Sequence, residues 1–320
     1  MRRRKAPPAA VVDPAVQVGP LQLPGPIVAA SGTFGHGDEV ARSCDPTALG
    51  AVTAKSLAAY EWPGNPAPRL HPAPGGGMLN SVGLQGPGVA HWVDAELPAL
   101  RRCGARVIAS IWGRTVGEFD EAARLLAPAA AELVAVEINV SCPNLEDRAR
   151  VFAHDPDATR AVVNAVVARG LGLPILAKLS PNTSELLEVA RAAIDAGADA
   201  LTLVNTVVAF AVDPNTRLPV LGAGNGGLSG PPIKPVALRA VHDVTRALPG
   251  VAVLGTGGVN SGLDAVEMLM AGASAVGVGT ATFRDPRAAV RIHDELLAWC
   301  AAHGVTRVAD LTGCLEEGDV

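Results

Sequence analysis

The sequence contains no apolar run long enough to cross a membrane. It also lacks the apolar h-region that would turn its basic start into a signal. Met1, Arg2, Arg3, Arg4 and Lys5 lead directly into alanine and proline, so neither a secretory nor a twin-arginine signal is expected. Residues 1–15 read instead as a disordered basic tail. Cysteine is scarce and unpaired in pattern: Cys44, Cys103, Cys142, Cys300 and Cys314 include no Cys-x-x-Cys. That argues against a disulfide framework and against a zinc or iron–sulfur site within the chain. A reducing cytoplasm is the expected compartment. The histidines are scattered, without a His-Glu-x-x-His pattern, so no metal site is expected. The formal net charge of -5 gives no reason to expect a nucleic-acid partner. No internal repeat and no dividing linker is evident.

What is there suits a large α/β fold. Of the 320 residues, 49% are hydrophobic and 18% charged, enough to bury a sizeable core. The 35 glycines and 26 prolines follow no regular period. Short, nearly continuous apolar runs predict eight parallel strands covered on both faces: Pro26–Ala30, Ala51–Lys55, Arg106–Ile111, Val134–Asn139, Pro174–Lys178, Ala200–Val204, Val251–Gly255 and Ala275–Val278. Helical stretches fall between them, at Phe119–Ala131, Asp157–Ala168, Ser184–Ala196, Ile233–Leu248 and Gly262–Ala271. Pro128 is expected to end or kink the first. A last helix over Pro286–His303 stops at Gly304. Eight strand–helix units in one chain favour a closed (β/α)8 TIM barrel over an open doubly wound sheet. The barrel is expected to occupy 16–315 as one domain, with 316–320 a short tail. Two long Pro/Gly-rich connections, Ala58–Leu97 after strand two and Val207–Pro232 after strand six, are of a length that usually serves function.

Barrel active sites lie at the C-terminal ends of the strands. Those ends here carry Ser31-Gly32, Lys55-Ser56, Ser110, Asn139 followed by Ser141-Cys142-Pro143-Asn144, Lys178, Asn205-Thr206, Gly255-Thr256-Gly257-Gly258 and Gly279-Thr280. Polar residues often simply mark where a strand stops. That accounts poorly for Lys55 and Lys178, each of which directly ends a buried run and needs an anion or acceptor. Barrels commonly bind phosphate in the loops after strands seven and eight. Either glycine pair, Gly257-Gly258 or the Gly279-Thr280 turn, fits an ordinary tight turn; together, after the correct strands, they favour phosphate. Gly222-Ala223-Gly224-Asn225-Gly226-Gly227 matches G-x-G-x-x-G, but no helix opens before about Ile233. It reads better as a flexible loop closing over a ligand than as a dinucleotide fingerprint. Cys142, beside Asn139, Ser141 and Asn144, suits either a general acid or base or a small buried hydrophobe.

These segments, in order and spacing, resemble the class 1 dihydroorotate dehydrogenases, most closely class 1B, from about Val16 to Leu315. The resemblance is carried by Ala29-Ala30-Ser31-Gly32-Thr33-Phe34-Gly35, Gly64-Asn65-Pro66-Ala67-Pro68-Arg69 and Gly77-Met78-Leu79-Asn80-Ser81-Val82-Gly83-Leu84-Gln85. It continues through Asn139-Val140-Ser141-Cys142-Pro143-Asn144, Lys178-Leu179-Ser180-Pro181, Asn205-Thr206, Gly226-Gly227-Leu228-Ser229-Gly230-Pro231 and Gly277-Val278-Gly279-Thr280.

The resemblance implies one non-covalent FMN per chain and oxidation of dihydroorotate to orotate. Ser31, Lys55, Ser56, Ser110, Asn139 and Val204 would contact the flavin, with Lys178 at its N1/O2 edge. Gly230, Gly257, Gly258, Gly279 and Thr280 would hold the ribityl phosphate. Lys55 and Asn80, Ser81, Val82, Gly83 and Leu84 would bind substrate together with Asn139, Asn144, Asn205 and Thr206. Cys142 would take the proton from C5 while a hydride leaves C6 for flavin N5.

Three departures stand out. Ser110 replaces a usual asparagine, Gly86 replaces another, and Leu145-Glu146-Asp147-Arg148-Ala149-Arg150 stands where glycines are usual. Class 1B implies a homodimer joined to a partner subunit that carries FAD and a 2Fe–2S cluster and passes electrons to NAD, together a heterotetramer. The rival expectations are an enzyme resembling dihydropyrimidine dehydrogenase, acting on uracil or thymine, and a flavin-binding barrel without turnover. A stand-alone dimer using fumarate is the rival for electron flow.

Overall fold

A computed structural model describes residues 11–141, 143–144 and 150–316. Eight parallel strands close into a barrel in sequence order: Ile27–Ala29, Ala51–Thr53, Val107–Ile111, Ala135–Asn139, Ile175–Lys178, Ala200–Leu203, Ala252–Thr256 and Ala275–Val278. All eight predicted strands are present, shifted by a residue or two at their ends. The second is shorter than its apolar run for a local reason. The Ala54 amide still bonds Ile108 O (3.0 Å), but the Lys55 amide turns away to Gly35 O (3.0 Å). That turn aims the Lys55 side chain into the mouth.

The strands are apolar on both sides because helices cover the outside and side chains fill the inside. The helix Val116–Leu126 buries Phe119, Ala122, Ala123 and Leu126, spacings that put them on one face. It begins three residues before the predicted start because Thr115 caps it, accepting from the Glu118 amide (3.2 Å). Ahead of Pro128 it gives way to a 3-10 turn, Ala127–Glu132. The helices Pro156–Val167, Leu186–Asp195, Lys234–Ala247, Gly262–Met270 and Ala288–Ala302 follow their predicted positions. The last ends before Gly304 at φ 73°, the left-handed position expected of that glycine.

Two of the features that were not predicted frame the barrel. A hairpin, Val16–Val18 with Leu21–Leu23, buries its valines and leucines and turns its glutamines outward. Its turn at Gly19 lies against Asp199 O, at the N-terminal end of the barrel, so the hairpin plugs the bottom. The expected tail is also shorter than residue 15. The Asp13 amide bonds Thr306 O (2.8 Å), and Asp13 O accepts from the Val308 amide (2.9 Å). Residues 1–10 lie outside the described residues.

The second feature builds the roof. The two long connections pair with each other in one antiparallel sheet, in the order Val207–Ala209, Gly226–Ser229, Gly77–Asn80, Leu70–Ala73. Gly226-Gly227, expected in a flexible loop, are therefore strand residues. The long connection after strand two also holds the helix Val89–Ala95. No helix among the described residues is long and apolar enough to cross a membrane.

Candidate active site

A cavity of about 350 Å³ lies between the C-terminal mouth of the barrel and the roof sheet. Its floor holds two ammonium groups. Lys55 sits in a collar formed by the loop after strand one, with Gly32 at φ 84° so close that a Cβ there would stand 3.2 Å from Lys55 Cδ. Burial, reinforced by the nearby positive charge of Lys178, brings the Lys55 ammonium down to about 8 from 10.5. Lys178, only 7% exposed, ends strand five level with Asn139 of strand four.

Beside the two lysines, the polar side chains of the mouth form a hydrogen-bonded, partly buried network. Ser31 Oγ lies 3.1 Å from Ser56 Oγ, and Ser56 Oγ lies 2.9 Å from Ser110 Oγ. Asn139 Nδ2 donates to Ser56 Oγ (3.2 Å), and Asn205 Nδ2 donates to Asn139 Oδ1 (3.3 Å). The amide oxygen of Asn205 accepts from the Thr206 backbone N–H (2.8 Å). Ser141 extends the network to strand five, with its N–H on Asn139 Oδ1 (3.2 Å) and its hydroxyl on Lys178 O (3.3 Å). Such a network fixes which way each amide points.

The segment Asn80–Leu84 borders the roof. Asn80 Nδ2 donates to Gly227 O (3.2 Å), stitching the two connections together. Asn65 supports the turn from outside: its amide donates to Val82 O (3.1 Å) and its side chain to Ser81 Oγ (2.8 Å). Gly83, at φ 70°, packs so closely that a Cβ would stand 2.4 Å from Asn65 Cγ. Arg69 clamps the same turn, bonding Asn65 O (2.5 Å), Pro63 O (2.9 Å) and the side chain of Gln85. The segment from Gly64 to Arg69 is thus the brace of the Asn80–Leu84 turn. Gly86, one of the departures, also has a neighbour that explains it: a Cβ there would stand 3.0 Å from His36 Nε2. Burial and the Lys55 charge push the His36 imidazole down, consistent with a neutral ring.

At the far end, Gly257 (φ 128°) and Gly258 (φ 81°) run against the start of the helix Lys234–Ala247. A Cβ on Gly258 would lie 2.6 Å from Lys234 N, so the backbone itself forms the wall. Gly230 (φ 86°), Gly279 and Thr280 complete this end. Glycine backbone lining the cavity with no side chain in the way suits a phosphate. Lys234 does not serve the cavity. It bonds Asp264 (2.6 Å) and Glu267 (2.7 Å), tying two outer helices together.

The described site residues expected from the sequence converge on this one cavity, with a single exception. Ser31, Lys55, Ser56, Asn80, Ser81, Val82, Gly83, Leu84, Asn139, Lys178, Val204, Asn205, Thr206, Gly230, Gly257, Gly258, Gly279 and Thr280 all line it. Ser110 does not. It is fully buried one layer below, where its short side chain reaches Ser56 and Glu137 rather than the cavity. Cys142 and the loop 145–149 lie outside the described residues, as does the side chain of Asn144. Glu137 was not anticipated. It is 1% exposed in strand four, accepts from Ser110 Oγ (3.1 Å) and Thr202 Oγ1 (3.0 Å), and stands 3.9 Å from Lys178 Nζ. A lone acid inside an apolar run was the available signal, since a buried carboxylate needs partners.

The sequence profile of the dihydroorotate dehydrogenase family matches residues 15–299. Among curated relatives, the protein named dihydroorotate dehydrogenase B (NAD(+)), catalytic subunit, from Geobacter sp. (strain M21) is 43% identical over 304 residues, covering 95% of this chain and 98% of its own. The protein of that name from Geobacter sulfurreducens is also 43% identical, with the same coverage. That from Pelobacter propionicus is 44% identical over 95% of this chain and 99% of its own.

Proposed function

The chain belongs to the dihydroorotate dehydrogenase family, and from that premise we propose that it oxidises dihydroorotate to orotate in pyrimidine biosynthesis, with FMN in the cavity and Cys142 as base. The observation that carries the reading is the pair of buried ammonium groups, Lys55 and Lys178, in a cavity whose other end is a cradle of backbone amides. A positive floor and a phosphate cradle fit a flavin mononucleotide with an anionic pyrimidine beside it. FMN, when bound, supplies the two-electron acceptor. Lys178 would hold its pyrimidine edge, where a fixed positive charge favours the electron-rich form. Ser31, Ser56, Asn139 and Val204 would hold its ring, and Gly230, Gly257, Gly258, Gly279 and Thr280 its phosphate.

Lys55 would pair with the substrate carboxylate. Asn139, Asn205 and Thr206 would hydrogen-bond the ring together with Asn144, and the Asn80–Leu84 turn would cover it and exclude water. Cys142, which follows Ser141 and precedes Pro143-Asn144 in the sequence, would remove the C5 proton. Uracil and thymine have no carboxylate and would leave the Lys55 ammonium buried without its anion, which favours the orotate series.

The relatives' names speak of a catalytic subunit and of NAD. We extend this to a cytoplasmic homodimer that docks a partner bearing FAD and a 2Fe–2S cluster, together a heterotetramer reducing NAD. The cofactor is tested by acid release of flavin from the purified chain. FMN in about one-to-one ratio is expected; FAD, or a colourless protein that takes up neither, would contradict the reading.

A further inference from the structure

Glu137 stands at the centre of the barrel, where an apolar side chain would fill the space without the cost of burying a charge. Ala135, Val136 and Ile138 beside it on the strand are all fully buried. Its carboxylate oxygens are separately occupied: Oε1 accepts from Ser110 and Oε2 from Thr202. Thr202 lies level with Lys178 on the neighbouring strand, and Ser110 lies level with Glu137 itself. Side chains of strands three, five and six thus converge on one acid of strand four, and Lys178 Nζ is its nearest cation among the described residues, at 3.9 Å. Among the described residues, the groups at the floor are two ammoniums, Lys55 and Lys178, against one carboxylate.

We propose that Glu137 is a positioning residue that sets the charge of the cavity floor. Its carboxylate, held by Ser110 and Thr202, balances the Lys178 ammonium, and the Ser110–Ser56 hydroxyl pair carries that constraint to the cavity wall. Ser110 then has a role that an asparagine contacting the cavity would not fill: it is one link of a hydroxyl chain from Glu137 through Ser56 to Ser31. Glu137 never touches a ligand. It acts through Lys178, and for its effect on flavin it rests on the reading that Lys178 holds the pyrimidine edge of FMN.

Removing the carboxylate while keeping the shape leaves the Lys178 charge unbalanced. Two readouts follow for Glu137→Gln. In flavin-free protein, the Lys55 titration followed by NMR of 13Cε-labelled lysine should fall below its wild-type midpoint by about half a unit to one unit. In flavin-loaded protein at about pH 7, sulfite affinity, which rises with positive charge beside a flavin, should increase about tenfold. That corresponds to a two-electron midpoint raised by about 30 mV. Glu137→Asp keeps the charge but draws it back from Nζ, so both readouts should lie between wild type and the glutamine variant. It also serves if the glutamine variant does not fold. A purely structural Glu137 would change thermal stability and leave these values alone. Unchanged Lys55 titration and unchanged sulfite affinity in a folded variant, or shifts of the opposite sign, would overturn the proposal. A wild-type chain that takes up no flavin defeats the functional reading instead, and the Lys55 titration still decides the role of Glu137.

Discussion

Lys55 is a cation kept in place at the cost of its own proton affinity. Its folded midpoint of about 8 lies below the ordinary 10.5. The unfavourable burial of its charge is therefore fully present below pH 8 and is relieved as pH rises from there toward 10.5. An anion that pairs with it reverses the sign, because it binds the protonated form and raises the midpoint. Orotate should therefore bind flavin-loaded protein most tightly below about pH 8, and weaken by up to about tenfold per pH unit above it. Lys55→Met should lose on the order of tenfold to a hundredfold in orotate affinity, with the pH dependence abolished. Orotate titrations followed by flavin absorbance measure both, and a flat profile from about pH 7 to about pH 9.5 would detach Lys55 from the carboxylate. Both lysines were legible in the sequence because each ends an apolar run with a charge that needs an answer. Glu137 was not, because its meaning depends on Lys178 and Ser110, brought beside it only by barrel closure. Ser110 was placed at the right strand end but one layer too high. Alignment along a strand gives the position of a residue, not how far its side chain reaches.

At the scale of elements, the eight strands were legible because parallel strands covered on both faces leave continuous apolar runs. The roof sheet was not, because its strands are four residues or fewer, two of them begin with glycine, and its two halves come from connections far apart in the sequence. Its brace was visible as a motif without a mechanism. The structure supplies one: Asn65 and Arg69 hold the turn that carries Ser81–Leu84. Arg69→Ala should loosen this turn and leave the glycine-lined end intact, since Gly257, Gly258 and Gly279 belong to other loops. Orotate affinity should fall by about fivefold to tenfold while FMN is retained. Equilibrium dialysis of both ligands separates the two effects. Orotate binding equal to wild type would show that the clamp does not govern the substrate side.

At the scale of the whole molecule, the barrel mouth supplies a cavity with a charged floor, a glycine-lined end and a roof built from two insertions, and the sequence carries no convincing dinucleotide fingerprint. The G-x-G-x-x-G match is spent on the roof sheet, where Gly227 packs against Thr206. The chain by itself should therefore reduce an artificial dye with dihydroorotate but not NAD, and gain NAD reduction when the partner subunit is added. NAD reduction by the chain alone, or fast turnover with fumarate, would defeat the partner assignment. The central claim, that this cavity oxidises dihydroorotate with Cys142 as base, is tested most directly by anaerobic mixing of the flavin-loaded chain with dihydroorotate while flavin absorbance is followed near its visible maximum. The account predicts rapid bleaching in the wild type. In Cys142→Ala, which should still bind FMN and orotate, bleaching should be slower by about a hundredfold or more at neutral pH. A wild-type flavin that dihydroorotate does not bleach, or an alanine variant that bleaches at the wild-type rate, would contradict it.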